Sequence, residues 1–250
     1  MHQDRLLDVV GKAGKLLIES GAEIYRVEET MLHLARSFEG VEEAQSYVSA
    51  TGLMLSIKID NKNATKIFRV SGSKVNLDRI AAINALSREA SVNHYSVDEV
   101  EHRLNEIENM KEYPWWVLII ASGFGAAGFA GFFRGNTSEI LITFIIGIIV
   151  ASIVQILKKL ELNSFFVNAI SAGILTILSQ FASNMIAYTS KDILIISSIM
   201  LLVPGLAITN AIRDMFHGDF VSGTARMMEA FLCAIGIACG VCLVFGISMG

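Results

Sequence analysis

The residues of this sequence that could do chemistry lie in a charged cluster within an otherwise apolar stretch. Residues 113–250 contain twelve charged side chains, and five of them fall within residues 213–229. These five are Arg213, Asp214, Asp219, Arg226 and Glu229. Arginine offers a planar fork of donors to a carboxylate, and carboxylates inside a membrane commonly relay protons. We therefore predict that Arg213 and Arg226 bind a carboxylate ligand and that Asp214, Asp219 and Glu229 carry protons.

A helix break is predicted just before this cluster. Pro204 lacks a backbone donor and Gly205 loosens the same point, so an apolar helix should be interrupted there. Broken helices deep in the bilayer expose backbone carbonyls to transported ligands. Pro204, Gly205 and Asn210 thus complete the predicted ligand site. The alternatives are a simple proline kink and a solvated loop whose charges pair with one another.

A second polar group lies near the N-terminus. Glu23, Arg26 and Thr30 share one face of a predicted helix, opposite its apolar stripe. This pattern predicts a solvent-exposed polar face with a salt bridge.

The elements that hold these residues divide into two predicted domains. Residues 1–112 predict a cytoplasmic α+β domain, with helices at 5–20, 24–38, 77–90 and 97–111 and strands at 47–60 and 65–70 joined by a turn at 60–63. Residues 113–250 predict a helical bundle of about five transmembrane spans at 115–133, 139–157, 165–187, 192–209 and 227–248. The chain is 53% hydrophobic, which is too apolar for a water-soluble protein of this size.

Charge predicts the orientation in the plasma membrane. Charged residues interrupt every apolar run near the N-terminus, so no signal peptide is predicted and the N-terminus is expected in the cytoplasm. Four basic residues then lie in inner loops, Lys158, Lys159, Arg213 and Arg226, against Arg134 and Lys191 outside. Five spans place the C-terminus outside.

Several classes of function are disfavoured by the sequence. The net charge of −4 offers no basic face for nucleic acid. The run Gly123-Phe-Gly125-Ala-Ala-Gly128 matches a dinucleotide fingerprint but lies inside an apolar segment with no strand before it. No His pair has the spacing of metal ligands, and no P-loop is present. We therefore expect neither a metal nor a cofactor.

Three segments together resemble the threonine/serine exporter family. They are SGAEIYRVEETM at residues 20–31, the strand pair around VSATGLMLSI, and LVPG followed by N-x-x-R-D-x-x-x-G-D-x-x-S-G-x-x-R at residues 202–226. The resemblance runs over essentially the whole chain. Single-chain members have about ten spans in two halves, so this chain looks like the larger subunit of the two-subunit branch. The resemblance implies export of threonine and serine or of dicarboxylates such as succinate, with a small membrane subunit as partner.

The sequence thus favours a subunit of a proton-coupled secondary exporter of small carboxylate metabolites. A second copy of the chain is the other predicted partner, in a homo-oligomer. The alternatives are a membrane-anchored enzyme that acts through the N-terminal domain, and a regulatory binding module coupled to a pore. The enzyme is disfavoured because no nucleophile with a base and no metal cluster is visible.

Overall fold

The structure is a computed structural model that describes residues 2–72 and 74–249. These residues form ten helices and three strands: α1 (His2–Glu19), α2 (Ile24–Arg36), β1 (Val41–Ser49), β2 (Gly52–Ile59), β3 (Lys62–Arg69), α3 (Leu77–Asn93), α4 (Val97–Glu108), α5 (Trp115–Phe132), α6 (Thr137–Lys159), α7 (Ser164–Met185), α8 (Lys191–Ile199), α9 (Gly205–Phe216) and α10 (Phe220–Met249). They fall into two compact units. The first unit contains the chain up to Lys111 together with Leu206–Met227, and the second contains Glu112–Gly205 and the chain from Met228 onward.

The core of the first unit lies between its helices and a three-stranded antiparallel sheet of order β1-β2-β3. The apolar stripe of α2 is buried as predicted. Leu53, Leu55 and Ile57 alternate along β2 and are also buried. Each such side chain contributes about 1.5 to 3 kcal/mol through removal from water. The amphipathic patterns of α2 and β2 therefore determine which faces form the core.

The sheet contains a strand that the sequence did not predict. The expected strand at residues 47–60 is two strands, because the chain turns between Ser49 and Gly52. β1 was missed since only Ala44 and Val48 are buried along it and its other face carries charged and polar side chains. The turn predicted at residues 60–63 consists of Asp60 and Asn61 only. Their positive φ angles of 49° and 56° suit a two-residue hairpin turn.

The second unit contains most of the apolar helices. Among the described residues, four helices are long and apolar enough to cross a membrane: α5, α6, α7 and α10, the last of which continues from the first unit. They correspond to four of the five predicted spans. The fifth predicted span, at 192–209, is not counted among them, because α8 ends at Ile199 and α9 starts at Gly205. The predicted interruption at Pro204 is present, and it explains the lower count of continuous spans. The predicted division into domains 1–112 and 113–250 stays a prediction.

Small residues allow close helix packing in the second unit. A Cβ added to Gly147 would lie 2.8 Å from Ala126 Cβ and 3.1 Å from Gly123 Cα, so α5 and α6 touch through glycines. A Cβ added to Gly240 would lie 2.1 Å from the carbonyl oxygen of Ala169, so α10 and α7 touch backbone to backbone. Such contacts are typical of helices packed within a membrane.

A buried carboxylate joins two loops at one end of the second unit. Glu139 is 3% exposed, and its Oε2 accepts a hydrogen bond from Asn136 N at 2.7 Å. Its Oε1 accepts from Ser190 N at 2.6 Å, and Asn136 Nδ2 donates to Tyr188 O at 2.8 Å. The loops before α6 and before α8 are therefore tied together at the same end of the bundle.

Candidate functional site

The candidate site lies within the first unit, where the loop between α1 and α2 meets α9 and the start of α10. We call it the polar cluster, and it consists of Gly21, Ala22, Glu23 and Ile24 from the N-terminal region with Asn210, Arg213, Asp214 and Arg226 from the later helices. Nearly two hundred residues separate the two groups. The structure thus combines two polar patterns that the sequence presented separately.

Asp214 is the centre of the polar cluster. Its side chain is fully buried, and Oδ1 accepts a hydrogen bond from Ile24 N at 2.9 Å while Oδ2 accepts from Arg226 Nη1 at 2.9 Å. Arg226 is 13% exposed, and its Nη2 donates to the carbonyl oxygen of Ala22 at 2.9 Å. Both groups of this ion pair are therefore largely removed from water.

The hydrogen bond to Ile24 N also explains how α2 begins. The first amides of a helix have no partner within the helix and usually receive a side-chain cap. Glu23 occupies the N-cap position of α2 but makes no capping hydrogen bond. Asp214 accepts from the first amide instead, and its negative charge also suits the positive end of the helix dipole.

Glu23 forms the second part of the polar cluster. Its Oε1 accepts from Arg213 Nη1 at 2.6 Å and its Oε2 lies 3.0 Å from Arg26 Nε. Asn210 Nδ2 donates to the carbonyl oxygen of Gly21 at 2.9 Å. Arg213 is 51% exposed, so this pair is more open to water than the pair of Asp214 and Arg226.

The pKa values of the two carboxylates of the polar cluster are shifted in opposite directions. Burial opposes the charge of Glu23, but hydrogen bonds from its own backbone and from Arg213, with the charge of Arg26, outweigh it, so the pKa of Glu23 is lowered. Burial raises the pKa of Asp214, and the hydrogen bond from Ile24 N and the charge of Arg226 offset only part of that effect. Asp214 is therefore the carboxylate of this pair that takes up a proton more readily.

Further polar contacts surround the cluster. The ring of Tyr25 stacks on His217 with centroids 3.9 Å apart. Glu28 accepts a hydrogen bond from Val48 N at 2.9 Å. Burial raises the pKa of Glu28, and the nearby charge of Asp219 adds to this. The pKa values of Glu28 and Asp214 are thus both raised by burial and by the charge of Asp219, and Glu23 also contributes at Asp214.

The expected solvent-exposed face of α2 is only partly exposed. Arg26 is half-exposed and pairs with Glu23 as expected. Glu23 and Thr30 are buried, which corrects the expectation. The reason is that both have partners on other helices: Glu23 receives Arg213, and Thr30 Oγ1 donates to Asn84 Oδ1 at 2.9 Å.

The remaining predicted residues do not join the polar cluster. Pro204, Gly205 and Glu229 belong to the second unit. Asp219 lies directly before α10, where its amide donates to the carbonyl oxygen of Asp214 at 2.9 Å. Sequence reasoning missed Ile24 and the carbonyl groups of Gly21 and Ala22. They act through backbone atoms, so their residue types gave no signal.

A cavity in the second unit is lined in part by Pro204, one of the residues predicted for the ligand site. It has a volume of about 370 Å³, and its lining includes Pro204, Lys158, Gln155, Asn168 and Cys233. No group of three His, Cys, Asp or Glu side chains within residues 2–72 and 74–249 is placed to hold a metal ion.

Comparison with known proteins assigns the chain to a family. The family model described as "Putative threonine/serine exporter" matches residues 8–248. A "Probable succinate transporter subunit YjjP" from Klebsiella aerogenes is 26% identical over 226 residues, which cover 90% of this chain and 87% of that protein. The protein of the same name from Escherichia coli is 26% identical over 237 residues, which cover 92% of this chain and 90% of that protein.

A longer relative is also similar. A "Threonine/serine exporter" from Corynebacterium glutamicum is 24% identical over 195 residues, which cover 76% of this chain but only 40% of that protein. No match to a solved structure was found. These names describe transporters, which excludes the enzyme alternative and confirms the predicted multi-pass membrane transporter. The chain belongs to the threonine/serine exporter family.

Proposed function

We propose that this chain is a subunit of a secondary exporter that moves small carboxylate metabolites out of the cytoplasm together with a proton. The observation that carries this proposal is the buried pair of Asp214 and Arg226. A guanidinium with one buried carboxylate partner can exchange that partner for the carboxylate of a cargo molecule.

In this proposal, protonation of Asp214 determines which carboxylate pairs with Arg226. When Asp214 is ionised, it occupies one arm of the Arg226 fork, at 2.9 Å. When Asp214 is protonated, the guanidinium lacks a negative partner and is available to a cargo carboxylate. Cargo binding in turn removes the counter-charge from Asp214 and raises its affinity for a proton. Cargo and proton thus favour each other's binding, as linkage requires.

With this coupling the membrane potential still favours outward movement of a dicarboxylate, although the proton itself moves against its gradient. A dicarboxylate that leaves with one proton carries one net negative charge outward. A membrane potential that is negative inside favours that movement by about 2.3 kcal/mol per 100 mV. The relatives named as succinate transporter subunits support a dicarboxylate as cargo, whereas the Corynebacterium relative supports threonine or serine.

The other residues of the predicted site receive supporting roles in this proposal. Arg213 and Asn210 hold the loop between α1 and α2 through Glu23 and Gly21. Asp219 and Glu229 are proposed as further proton carriers. Pro204 and Gly205 form the break through which backbone carbonyls become available to cargo.

A small membrane subunit is proposed as the partner that supplies the second set of spans. Two relatives are named as subunits of a transporter, and the Corynebacterium exporter is much longer than the segment it shares with this chain. Ligand sites of many transporters lie between two repeats, so one half lacks the facing wall of the site. A homo-oligomer is the alternative source of that wall.

The proposed orientation has the N-terminus in the cytoplasm and the C-terminus outside the plasma membrane. The basic residues predicted on the inner side support it: Lys158, Lys159, Arg213 and Arg226, against Arg134 and Lys191 on the outer side. Four continuous helices alone would return the chain to the side where it started. An external C-terminus therefore requires the interrupted segment at residues 192–209 to make a fifth crossing.

Reporter fusions test this orientation. A reporter that works only outside the cytoplasm should be active when fused at Gly250 and inactive when fused after Lys159. Activity of a cytoplasm-only reporter at Gly250 would contradict the fifth crossing.

Cargo efflux tests the proposed function. Cells that produce the chain with its partner should release succinate or threonine faster than cells that lack it, and the rate should depend on pH. Asp214→Asn mimics the protonated carboxyl, so its residual efflux should vary less with pH than wild-type efflux does. An Asp214→Asn protein that keeps the wild-type pH dependence at equal abundance would overturn the assigned role.

A further inference from the structure

The cavity of the second unit has the size and the lining of a small-molecule site. It lies between α5, α6, α7, the break at Pro204 and α10. Its volume of about 370 Å³ falls at the lower end of the range of ligand sites, roughly 300 to 1,000 Å³. The cavity lies in the unit that carries the candidate membrane spans. The volume of the cavity therefore suits a small metabolite.

The polar groups of the lining suit a negatively charged ligand. Lys158 supplies a cation, while Gln155 and Asn168 supply amide groups. None of the described residues that line the cavity is an aspartate or glutamate. Within the described parts of the chain, no ion pair of Lys158 with a carboxylate is formed, so its charge is available. An aliphatic wall that includes Val150 and Val154 completes the lining.

We propose that this cavity binds a small aliphatic carboxylate, with Lys158 as the cation that receives it. The inference rests on the proposed function and adds a second cargo position that is distinct from Arg226. Because the lining residues offer a cation but no carboxylate, a dicarboxylate is favoured over a zwitterionic amino acid, whose ammonium group finds no negative partner among them; the carboxylate of Glu229 acts on Cys233 from outside the lining.

A cysteine in the lining provides a direct readout. Cys233 is 8% exposed and lines the cavity, whereas Cys239 and Cys242 on the same helix are exposed. Replacement of Cys239 and Cys242 by serine leaves Cys233 as the single thiol. Alkylation of that thiol by N-ethylmaleimide then reports access to the cavity. Permeabilised membranes from cells with the chain and its partner make the result independent of orientation.

The expected result is protection by succinate. Succinate should slow alkylation of Cys233, and threonine at the same concentration should slow it less. Lys158→Gln should raise the succinate concentration for half-protection roughly tenfold, the effect of one charge-assisted hydrogen bond at an exposed position. Lys159→Gln is the matched control, because Lys159 ends the same helix but does not line the cavity. It should leave protection unchanged.

Several results would overturn the inference. The first is a complete lack of alkylation at Cys233, and the second is alkylation that succinate does not slow. The third is an equal change in the succinate concentration for half-protection in Lys158→Gln and Lys159→Gln. Efflux measured in parallel separates this inference from the proposed function. Chain-dependent efflux without protection of Cys233 would refute the cavity as a site and leave the exporter intact. Protection without chain-dependent efflux would support the cavity and refute the exporter.

Discussion

Replacement of Arg226 by alanine should destabilise the protein strongly, and the loss should shrink in acid. Asp214 is fully buried and Arg226 is 13% exposed. Removal of the guanidinium leaves a buried carboxylate with the amide of Ile24 as its remaining partner. Breaking a buried ion pair in this way costs about 3 to 5 kcal/mol.

Protonation sets an upper limit on that cost. The stranded carboxyl group can avoid the unpaired charge by taking up a proton. At about pH 7, protonating a group with an ordinary pKa of about 3.9 costs roughly 4 kcal/mol, at about 1.4 kcal/mol per pH unit. At about pH 5 the same limit is roughly 1.5 kcal/mol. The loss caused by Arg226→Ala should therefore fall by about half or more between these two pH values.

The sign of the pH dependence follows from the raised pKa of Asp214. A carboxyl group whose pKa is higher in the folded than in the unfolded protein stabilises the fold through its protonated form. That contribution is complete below the ordinary pKa and is lost as the pH rises through the folded pKa. Arg226→Ala should raise the pKa of Asp214 further, because the positive charge that favours the ionised form is gone. Protonated Asp214 then stabilises the fold up to a higher pH.

Thermal unfolding of the purified protein in detergent measures the effect. A loss of 1 kcal/mol lowers Tm by about 2 to 4 °C in a protein of this size, so Arg226→Ala should lower it by roughly 6 to 16 °C at about pH 7. Arg213→Ala is the matched control. Glu23 keeps Arg26 as a partner when Arg213 is removed, and Arg213 itself is half-exposed, so this substitution should cost at most about 1 kcal/mol.

The control also differs in its pH dependence. The pKa of Glu23 is lowered, so its contribution to stability is present above its ordinary pKa and is lost only as the pH falls below that value. The effect of Arg213→Ala should thus stay nearly constant between about pH 5 and 7. Equal losses for the two arginine variants, or a loss for Arg226→Ala that does not shrink in acid, would refute the buried pair.

Two further predictions concern the second unit. Gly240→Ala should destabilise it by about 1 to 3 kcal/mol, because the new Cβ would meet the carbonyl oxygen of Ala169, whereas Gly246→Ala on the same helix meets nothing within 4 Å and should be neutral or slightly stabilising in thermal unfolding. Glu139→Ala should cost about 1 to 3 kcal/mol, because it leaves the amide of Ser190 without its acceptor, and cleavage by protease before α8 should become faster. Equal Tm values for the two glycine variants, or unchanged cleavage in Glu139→Ala, would count against these contacts.

The sequence predicted the elements whose side chains show a regular pattern. The apolar stripe of α2 and the alternation of Leu53, Leu55 and Ile57 are local signals with the period of a helix and of a strand. The break at Pro204 is equally local, since it follows from the missing backbone donor. β1 lacked such a pattern, because its second face is exposed and charged.

The polar cluster could be predicted only in part. The charged residues were visible in the sequence, but the partners of Arg226 were not. The structure pairs it with Asp214 and with the carbonyl oxygen of Ala22. Such a contact depends on the tertiary fold, and a backbone carbonyl carries no residue type that a sequence could reveal.

Proton uptake caused by cargo is the measurement that tests the central claim most directly. Succinate should be added to the purified protein with its partner in weakly buffered solution, with threonine as the second probe. Because cargo takes Arg226 from Asp214, the wild type should remove protons from solution as cargo binds, and Asp214→Asn should remove clearly fewer protons. Cargo binding without proton uptake in the wild type, or equal uptake by Asp214→Asn, would contradict the exchange of partners at Arg226.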